Sequence, residues 1–328
     1  MLGSNGAGKT SLLEAVYLAS TTKSFRTADL AVCVRHGDAG YHVAIDAGAV
    51  GRDKLELGWQ RGERLRLANG NAVPLAEHVA VQPVVLWTAA EAELLAGAPA
   101  LGRKLVDRGL VSTRPSSLAA LSRYRRVLAQ KRQLLASGRA DGLDTWNELL
   151  AESAAEVITL RAAYVEALAA ALAAVRERTR LSLPRLRVEY LPSPRAGIGG
   201  RDAILAALAR VAPRERERGA PLLGPQRDAL RLLWDGRDVG AVASAGEGKA
   251  LGLLLAAAQG TLVEATGRDP IYLLDDADAE LDRERLAAVW EAFAPVRQLL
   301  ATSSRPEVWE TLPADRRWRL SGGLVTDS

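Results

Sequence analysis

Gly3-Ser4-Asn5-Gly6-Ala7-Gly8-Lys9-Thr10 satisfies the spacing Gly-x-x-x-x-Gly-Lys-Ser/Thr at every fixed position. Small residues here let backbone N–H groups wrap a nucleotide's β-phosphate, and the helix that follows turns its positive end toward the anion. Lys9 is placed to reach the β- and γ-phosphates, and the Thr10 hydroxyl to take a position on Mg2+. The stretch therefore predicts an ATP site made by Gly3, Ser4, Asn5, Gly6, Ala7, Gly8, Lys9 and Thr10, backed by an amphipathic helix over 9–19. The structural alternative is a glycine turn that happens to precede a helix.

Two further segments extend this reading. Ile271-Tyr272-Leu273-Leu274-Asp275-Asp276 is an apolar strand ending in two carboxylates. In a P-loop fold such a strand lies beside the phosphate loop. Asp275 would then hold Mg2+, often through water, and Asp276 would act in catalysis with Lys9 by orienting or deprotonating the attacking water. Taken alone, such carboxylates could equally be helix caps or turn formers. Ser244-Ala245-Gly246-Glu247-Gly248-Lys249 opens an apolar helix. Ser244 with Glu247 makes a capping box. In a sharper reading Ser244, Gly246 and Glu247 present a helix N-terminus to the γ-phosphate held by another subunit.

Around these segments the chain alternates in character. Short β-like stretches over 41–45, 54–60, 64–67 and 79–87 are separated by turn residues and predict an antiparallel meander. Long Ala/Leu/Arg helices follow, with 118–135 and 145–178 as the two arms of a hairpin broken near 113–115 and 137–142. After Pro184 strands return at 186–190, 271–274 and 298–302. The expected fold is α/β: an ABC-type P-loop ATPase head, 1–100 with 186–328, carrying an inserted α-helical arm at 101–185.

Composition sets bounds on function. The 328 residues carry 43 Lys plus Arg against 39 acidic residues, a net charge of +4, so nucleic-acid binding needs the arginines clustered on one face. Arg123, Arg125, Arg126, Lys131 and Arg132, on one predicted helix, form the densest basic run and the candidate DNA contact. An ordinary solvated helix face is the alternative. His36, His42 and His78 lack metal-ligand spacing, and the single cysteine, Cys33, excludes an internal disulfide and fits a reducing compartment. No uninterrupted apolar run reaches the ~18 residues of a membrane span, and no signal peptide is evident. The expectation is a cytoplasmic protein without a membrane partner.

Together these segments resemble the RecF family of DNA replication and repair proteins. The resemblance rests on 5–15 with Lys23-Ser24-Phe25-Arg26-Thr27, Val84-Val85-Leu86-Trp87 with Glu93-Leu94, and Gly102-Arg103-Lys104-Leu105-Val106-Asp107. It continues through Ser122-Arg123-Tyr124-Arg125-Arg126-Val127-Leu128, Leu223-Gly224-Pro225-Gln226-Arg227-Asp228, and Leu273 to Asp276 with Ala279-Glu280-Leu281-Asp282. It implies an ATP-dependent homodimer that acts on DNA at gaps, where single and double strands join, with RecR-like and RecO-like mediators to load recombinase. A slow ATPase using Mg2+ is the implied activity, and DNA recombination and the SOS response the implied setting. Departures are Gln226 for the family's His, Glu247-Gly248 for a Gln-Gln pair, and Thr88-Ala89-Ala90-Glu91 for Ser-Pro-Glu-Asp. Only Met1 and Leu2 precede the phosphate loop where the family has two strands, so the resemblance implies an in-frame upstream extension of about two strands.

Two rival readings remain at this point. A degenerate RecF-like binding module would hold DNA or a partner without turning over ATP, which the altered signature favours and the intact Lys9, Thr10, Asp275 and Asp276 oppose. An ABC transporter ATPase subunit would carry a His after the last core strand, where this sequence has Thr302-Ser303-Ser304.

Overall fold

A computed structural model describes residues 1–47, 53–91, 99–138, 142–294, 296, 298–309 and 312–327. In chain order its principal elements are α1 (Lys9–Thr21), β1 (Gly40–Ala47), β2 (Asp53–Gln60), β3 (Glu63–Ala68), β4 (Asn71–Ala72), α2 (Leu75–Val81) and β5 (Val84–Trp87). Then come α3 (Pro99–Thr113), α4 (Ser117–Ala136), α5 (Leu143–Glu177), β6 (Leu186–Leu191), α6 (Arg201–Arg218), β7 (Ala229–Trp234) and β8 (Arg237–Asp238). The last are α7 (Ala245–Glu264), β9 (Ile271–Leu274), α8 (Arg283–Trp290), β10 (Gln298–Ala301), β11 (Trp318–Ser321) and β12 (Leu324–Asp327).

The chain forms two compact units. One joins Met1–Ala92, Ala170–Leu183 and Ala243–Ser328; the other joins Glu93–Ala169 and Pro184–Val242. The Glu93-Leu94 part of the family resemblance, and the centre of the break between the hairpin arms, lie outside the described residues.

In the first unit, β1 to β4 make the expected antiparallel meander, whereas β5, β9 and β10 pair in parallel with β9 in the middle. The expected strand over 79–87 is thus two elements. Leu75–Val81 is helical and the strand starts at Val84, after Pro83, whose missing N–H suits neither a helix interior nor a ladder. β5 and β9 are buried along their whole length, which fits the continuous apolar runs of a parallel sheet covered on both faces. Helix α1 packs Leu13 and Tyr17 on Val84, Leu86, Ile271 and Leu273, while Leu18 packs with Leu57 of the meander. Helix α7, buried nearly all round, comes so close to the sheet that a Cβ at Gly252 would lie 2.0 Å from the Trp87 ring. A Cβ at Gly260 would meet the Tyr272 hydroxyl just as closely.

In the second unit, α4, α5 and α6 share one core made by Leu121, Tyr124, Leu128, Leu150, Val157, Ile158, Ile204 and Leu208. Helix α5 contains an 18-residue window of mean hydropathy 1.6, long and apolar enough by composition to cross a membrane. Its Leu150, Ala151, Ala154, Val157 and Ile158 stripe is instead the centre of this core. Strands β6, β7 and β8 form an antiparallel sheet in the same unit. Arg161 of α5 ties the helices of this unit to the segment before β7. Its guanidinium donates to Asp107 of α3 at 2.9 and 3.1 Å and to Asp228, just before β7, at 2.7 Å. Tyr190 of β6 also donates to Asp228.

Candidate nucleotide site

The phosphate loop begins inside the sheet. Leu2 makes parallel bridges to both Ser303 and Arg319, so this short stretch lies between the end of β10 and β11. β10 therefore separates it from β9, the acid-bearing strand. Gly6 and Gly8 take φ of 82° and 101°, a left-handed backbone that glycine adopts without steric cost. At Gly3 a Cβ would sit 2.5 Å from the Leu320 carbonyl. Helix α1 then starts at Lys9 with no side-chain cap and no acidic residue in its first turn, which leaves its leading N–H groups to an anion. Lys9 is 6% exposed, and its ammonium donates to the carbonyls of Gly3 at 2.7 Å and Ser4 at 3.1 Å.

The acidic strand end closes on this loop. Thr10 donates its hydroxyl to Asp275 Oδ1 at 3.0 Å, joining residues far apart in sequence. Thr302, just past β10, donates to the same oxygen at 2.7 Å, and its own Oγ1 accepts from the Asp276 N–H at 2.9 Å. Asp276 has φ of 47°, and its Oδ1 is buried with no hydrogen-bond partner. Burial first, and then the adjacent Asp275 carboxylate, push the Asp276 carboxyl above the ordinary range. Like charges kept together, with a bonding position left open, are what a site built around a cation requires.

Among the described residues no group of three or more His, Cys, Asp or Glu could hold a metal alone. Mg2+ binds through one or two protein oxygens plus water and phosphate oxygens. Thr10 Oγ1 and Asp275 Oδ1, side by side, are the donor pair that fits it.

The signature segment forms the expected capping box. The Glu247 N–H donates to Ser244 Oγ at 3.4 Å, and Glu247 Oε2 accepts from the Ser244 N–H at 2.8 Å and its hydroxyl at 2.7 Å. Those bonds hold the Glu247 carboxyl below its usual range. Ser244 is exposed at the end of α7 and Gly246 is buried behind it.

The basic run on α4 divides. Arg123 and Arg125 are more than half exposed and pair with Glu156 at 3.5 Å and Asp107 at 3.3 Å. Arg126 and Arg132 are exposed as well. Lys131 is not part of any binding surface, contrary to the expectation from the sequence: it is fully buried and ion-paired to Glu215 of α6 at 2.7 Å. It falls on the same stripe as Leu121, Tyr124, Leu128 and Leu135, and this periodicity was the signal available in the sequence. Sequence reasoning also missed Thr302 and Lys249; the latter donates to the Asp276 carbonyl at 2.7 Å.

Comparison with known proteins fits this geometry. No family model matches the chain. Among solved structures, that of the recombination mediator protein RecF with ATP in the RecFOR pathway superposes with a TM-score of 0.87 at 24% identity, covering 100% of this chain and 90% of that one. An Smc head bound to the C-terminal winged-helix domain of ScpA superposes with a TM-score of 0.53 at 14% identity, covering 99% and 87%. The fold is that of an ABC-type P-loop ATPase head. Among curated sequences, the DNA replication and repair protein RecF of Frankia alni is 37% identical over 93% of this chain and 86% of its own length. Those of Acidothermus cellulolyticus and Streptomyces avermitilis are 34% and 32% identical, over 97% and 99% of this chain and 90% and 92% of their own lengths. The chain belongs to the RecF family.

Proposed function

We propose that this chain is a DNA-repair ATPase that binds ATP in the loop Gly3–Thr10 and dimerises on DNA as a result. The observation that carries the reading is the closure of the acidic strand end on the phosphate loop through Thr10 and Asp275. Membership in a family whose relatives are called DNA replication and repair proteins supports it. The backbone amides of 3–10 and the Lys9 ammonium would hold the phosphates. Mg2+, held by Thr10 and Asp275, would neutralise phosphate charge. Asp276 orients a water and takes its proton as the water oxygen bonds to the γ-phosphorus. The bond from that phosphorus to the bridging oxygen breaks, giving ADP and inorganic phosphate. In the dimer, Ser244 and Gly246 of one copy face the γ-phosphate held by the other, so ATP itself joins the two. RecR-like and RecO-like mediators, gapped DNA and a cytoplasmic setting belong to the same reading. A member that holds DNA without turnover is the second reading, favoured by Glu247-Gly248 where the signature carries a Gln-Gln pair.

Light scattering with and without saturating ATP tests the proposal. The parent should double in mass with ATP, and Lys9→Ala should lose both nucleotide binding and dimerisation. Ser244→Arg should bind ATP as a monomer, because a bulky cation fills the docking point. A parent that stays monomeric at saturating ATP would overturn the switch.

A further inference from the structure

Lys249 lies in the first turns of α7 and is 4% exposed. Removing an ammonium from water is costly unless charge and hydrogen bonds compensate it. Here the compensation comes from one loop. Lys249 Nζ donates to the Asp276 carbonyl at 2.7 Å, and the charges of Glu280, Asp278 and Asp276 favour its ammonium against burial and the nearby Arg305. The loop needs the help. Asp276 and Glu280 both hold a left-handed backbone, φ 47° and 64°, which is strained for residues with a side chain. The same Asp276 carbonyl accepts from the Ala279 N–H at 3.2 Å, and the Asp278 carbonyl from the Leu281 N–H at 3.2 Å. A second contact joins helix and loop independently. A Cβ at Gly246 would lie 3.1 Å from the Glu280 carbonyl oxygen and 2.7 Å from Arg285 Nη1, so the first turn of α7 rests closely against both.

We propose that Lys249 is a positioning residue for hydrolysis: it bolts the first turn of α7 to the backbone of Asp276 and thereby sets the direction of that carboxylate. This rests on Asp276 being the group that orients water, and it adds a route between the two ends of the reaction. The capping box at Ser244, which faces the second copy in the proposed dimer, lies on the same helical segment as Lys249. Pressure on Ser244 and Gly246 is therefore felt at Asp276 within one subunit. Asp276 is fixed from both sides, by Lys249 on its carbonyl and by Thr302 on its N–H.

The test compares full-length parent, Lys249→Met and Lys249→Arg in nucleotide affinity, phosphate release at saturating ATP, and amide exchange of the peptide spanning Asp276 to Leu281. Supporting groups of this kind typically contribute about ten- to a hundredfold. Lys249→Met should release phosphate at least about tenfold more slowly with nucleotide affinity unchanged, and its Ala279 and Leu281 amides should exchange faster. Lys249→Arg, which keeps the charge and the donor, should recover part of both. If Lys249→Met turns over like the parent, or loses turnover only in proportion to lost nucleotide binding, the assignment is wrong. If the parent releases no phosphate, it is the ATPase reading that fails, and exchange decides alone: equal protection in parent and Lys249→Met overturns the bolt. If Lys249→Met does not fold, Lys249→Gln, which shortens the reach and removes the charge, takes its place: slower phosphate release and faster Ala279 and Leu281 exchange at unchanged nucleotide affinity support the inference, and parent-like turnover and exchange overturn it.

Discussion

Around Arg161 each buried charge meets its opposite: Asp107 and Asp228 share the guanidinium, and Tyr190 and the Ser193 N–H complete the bonding of Asp228. Around Asp276 the bonding is incomplete, although the Lys9 and Lys249 ammoniums are nearby. Two carboxylates adjoin, a third from Asp278 is buried nearby, and one oxygen of Asp276 has no partner. Asp107 and Asp228 come from distant parts of the sequence, whereas Asp275, Asp276 and Asp278 belong to one loop, and each cluster includes a fully buried acid, Asp228 in one and Asp278 in the other. The difference is completeness. A cluster whose carboxylate oxygens all find partners within the chain holds structure together, whereas one with a carboxylate oxygen left open is built for something that arrives from outside.

The sharpest test of that contrast is Asp276→Asn. Phosphate release should fall more than about a hundredfold, the loss expected when a preorganised electrostatic group is removed, while ATP binding and the ATP-bound dimer persist. The same variant should gain stability. Because the folded-state carboxyl is raised above its ordinary value of 3.8, ionising it opposes folding. That opposition is absent in acid and complete once pH exceeds the raised value. Asp276→Asn should therefore melt above the parent at neutral pH, with the gain vanishing as pH falls to the ordinary value and below. A variant that melts lower at neutral pH would erase the distinction between the clusters.

Arg161→Met should behave in the opposite way. It leaves the buried Asp228 without its cation and Asp107 with only the exposed Arg125, and should cost about 3–5 kcal/mol in urea unfolding, with the nucleotide affinity of folded protein unchanged. Weakened ATP binding with undiminished stability would make the Arg161 cluster functional after all. The smallest effect belongs to the surface. Replacing Arg125, Arg126 and Arg132 with Ala should leave stability within about 0.5 kcal/mol. It should lower the slope of log affinity for DNA against log salt by roughly one for each phosphate no longer neutralised. An unchanged slope would move the DNA surface off α4.

Local chemistry was legible in the sequence where neighbours in the chain are also neighbours in space. The loop that runs into α1, the apolar strand ahead of Asp275-Asp276 and the Ser244–Glu247 capping box form as local elements where the sequence placed them. Roles assigned by distant partners were not legible. Thr302 reads as a strand end and becomes a hydrogen-bond donor to Asp275 only because β10 pairs beside β9. Lys131 looked basic among arginines, but its meaning was fixed by Glu215 on another helix. Arg161 drew no notice in a helix with many charges, although it meets α3 and the segment before β7. The helix at 75–81 was hidden because the apolar residues on either side of Pro83 could be joined into one strand by eye.

The two aromatic rings that replace side chains along α7 act as locating pins. Trp87 fills the space at Gly252 and Tyr272 the space at Gly260, about two turns further along a 3.6-residue helix. A rod registered at two heights can neither slide along its axis nor spin about it. Ahead of the first pin lies only the stretch from Ser244 to Lys249, held by the Lys249 bond to the Asp276 carbonyl. The helix is therefore a cantilever clamped along its apolar length, with the proposed γ-phosphate docking point at its exposed tip and the Lys249 bond to Asp276 one short arm behind.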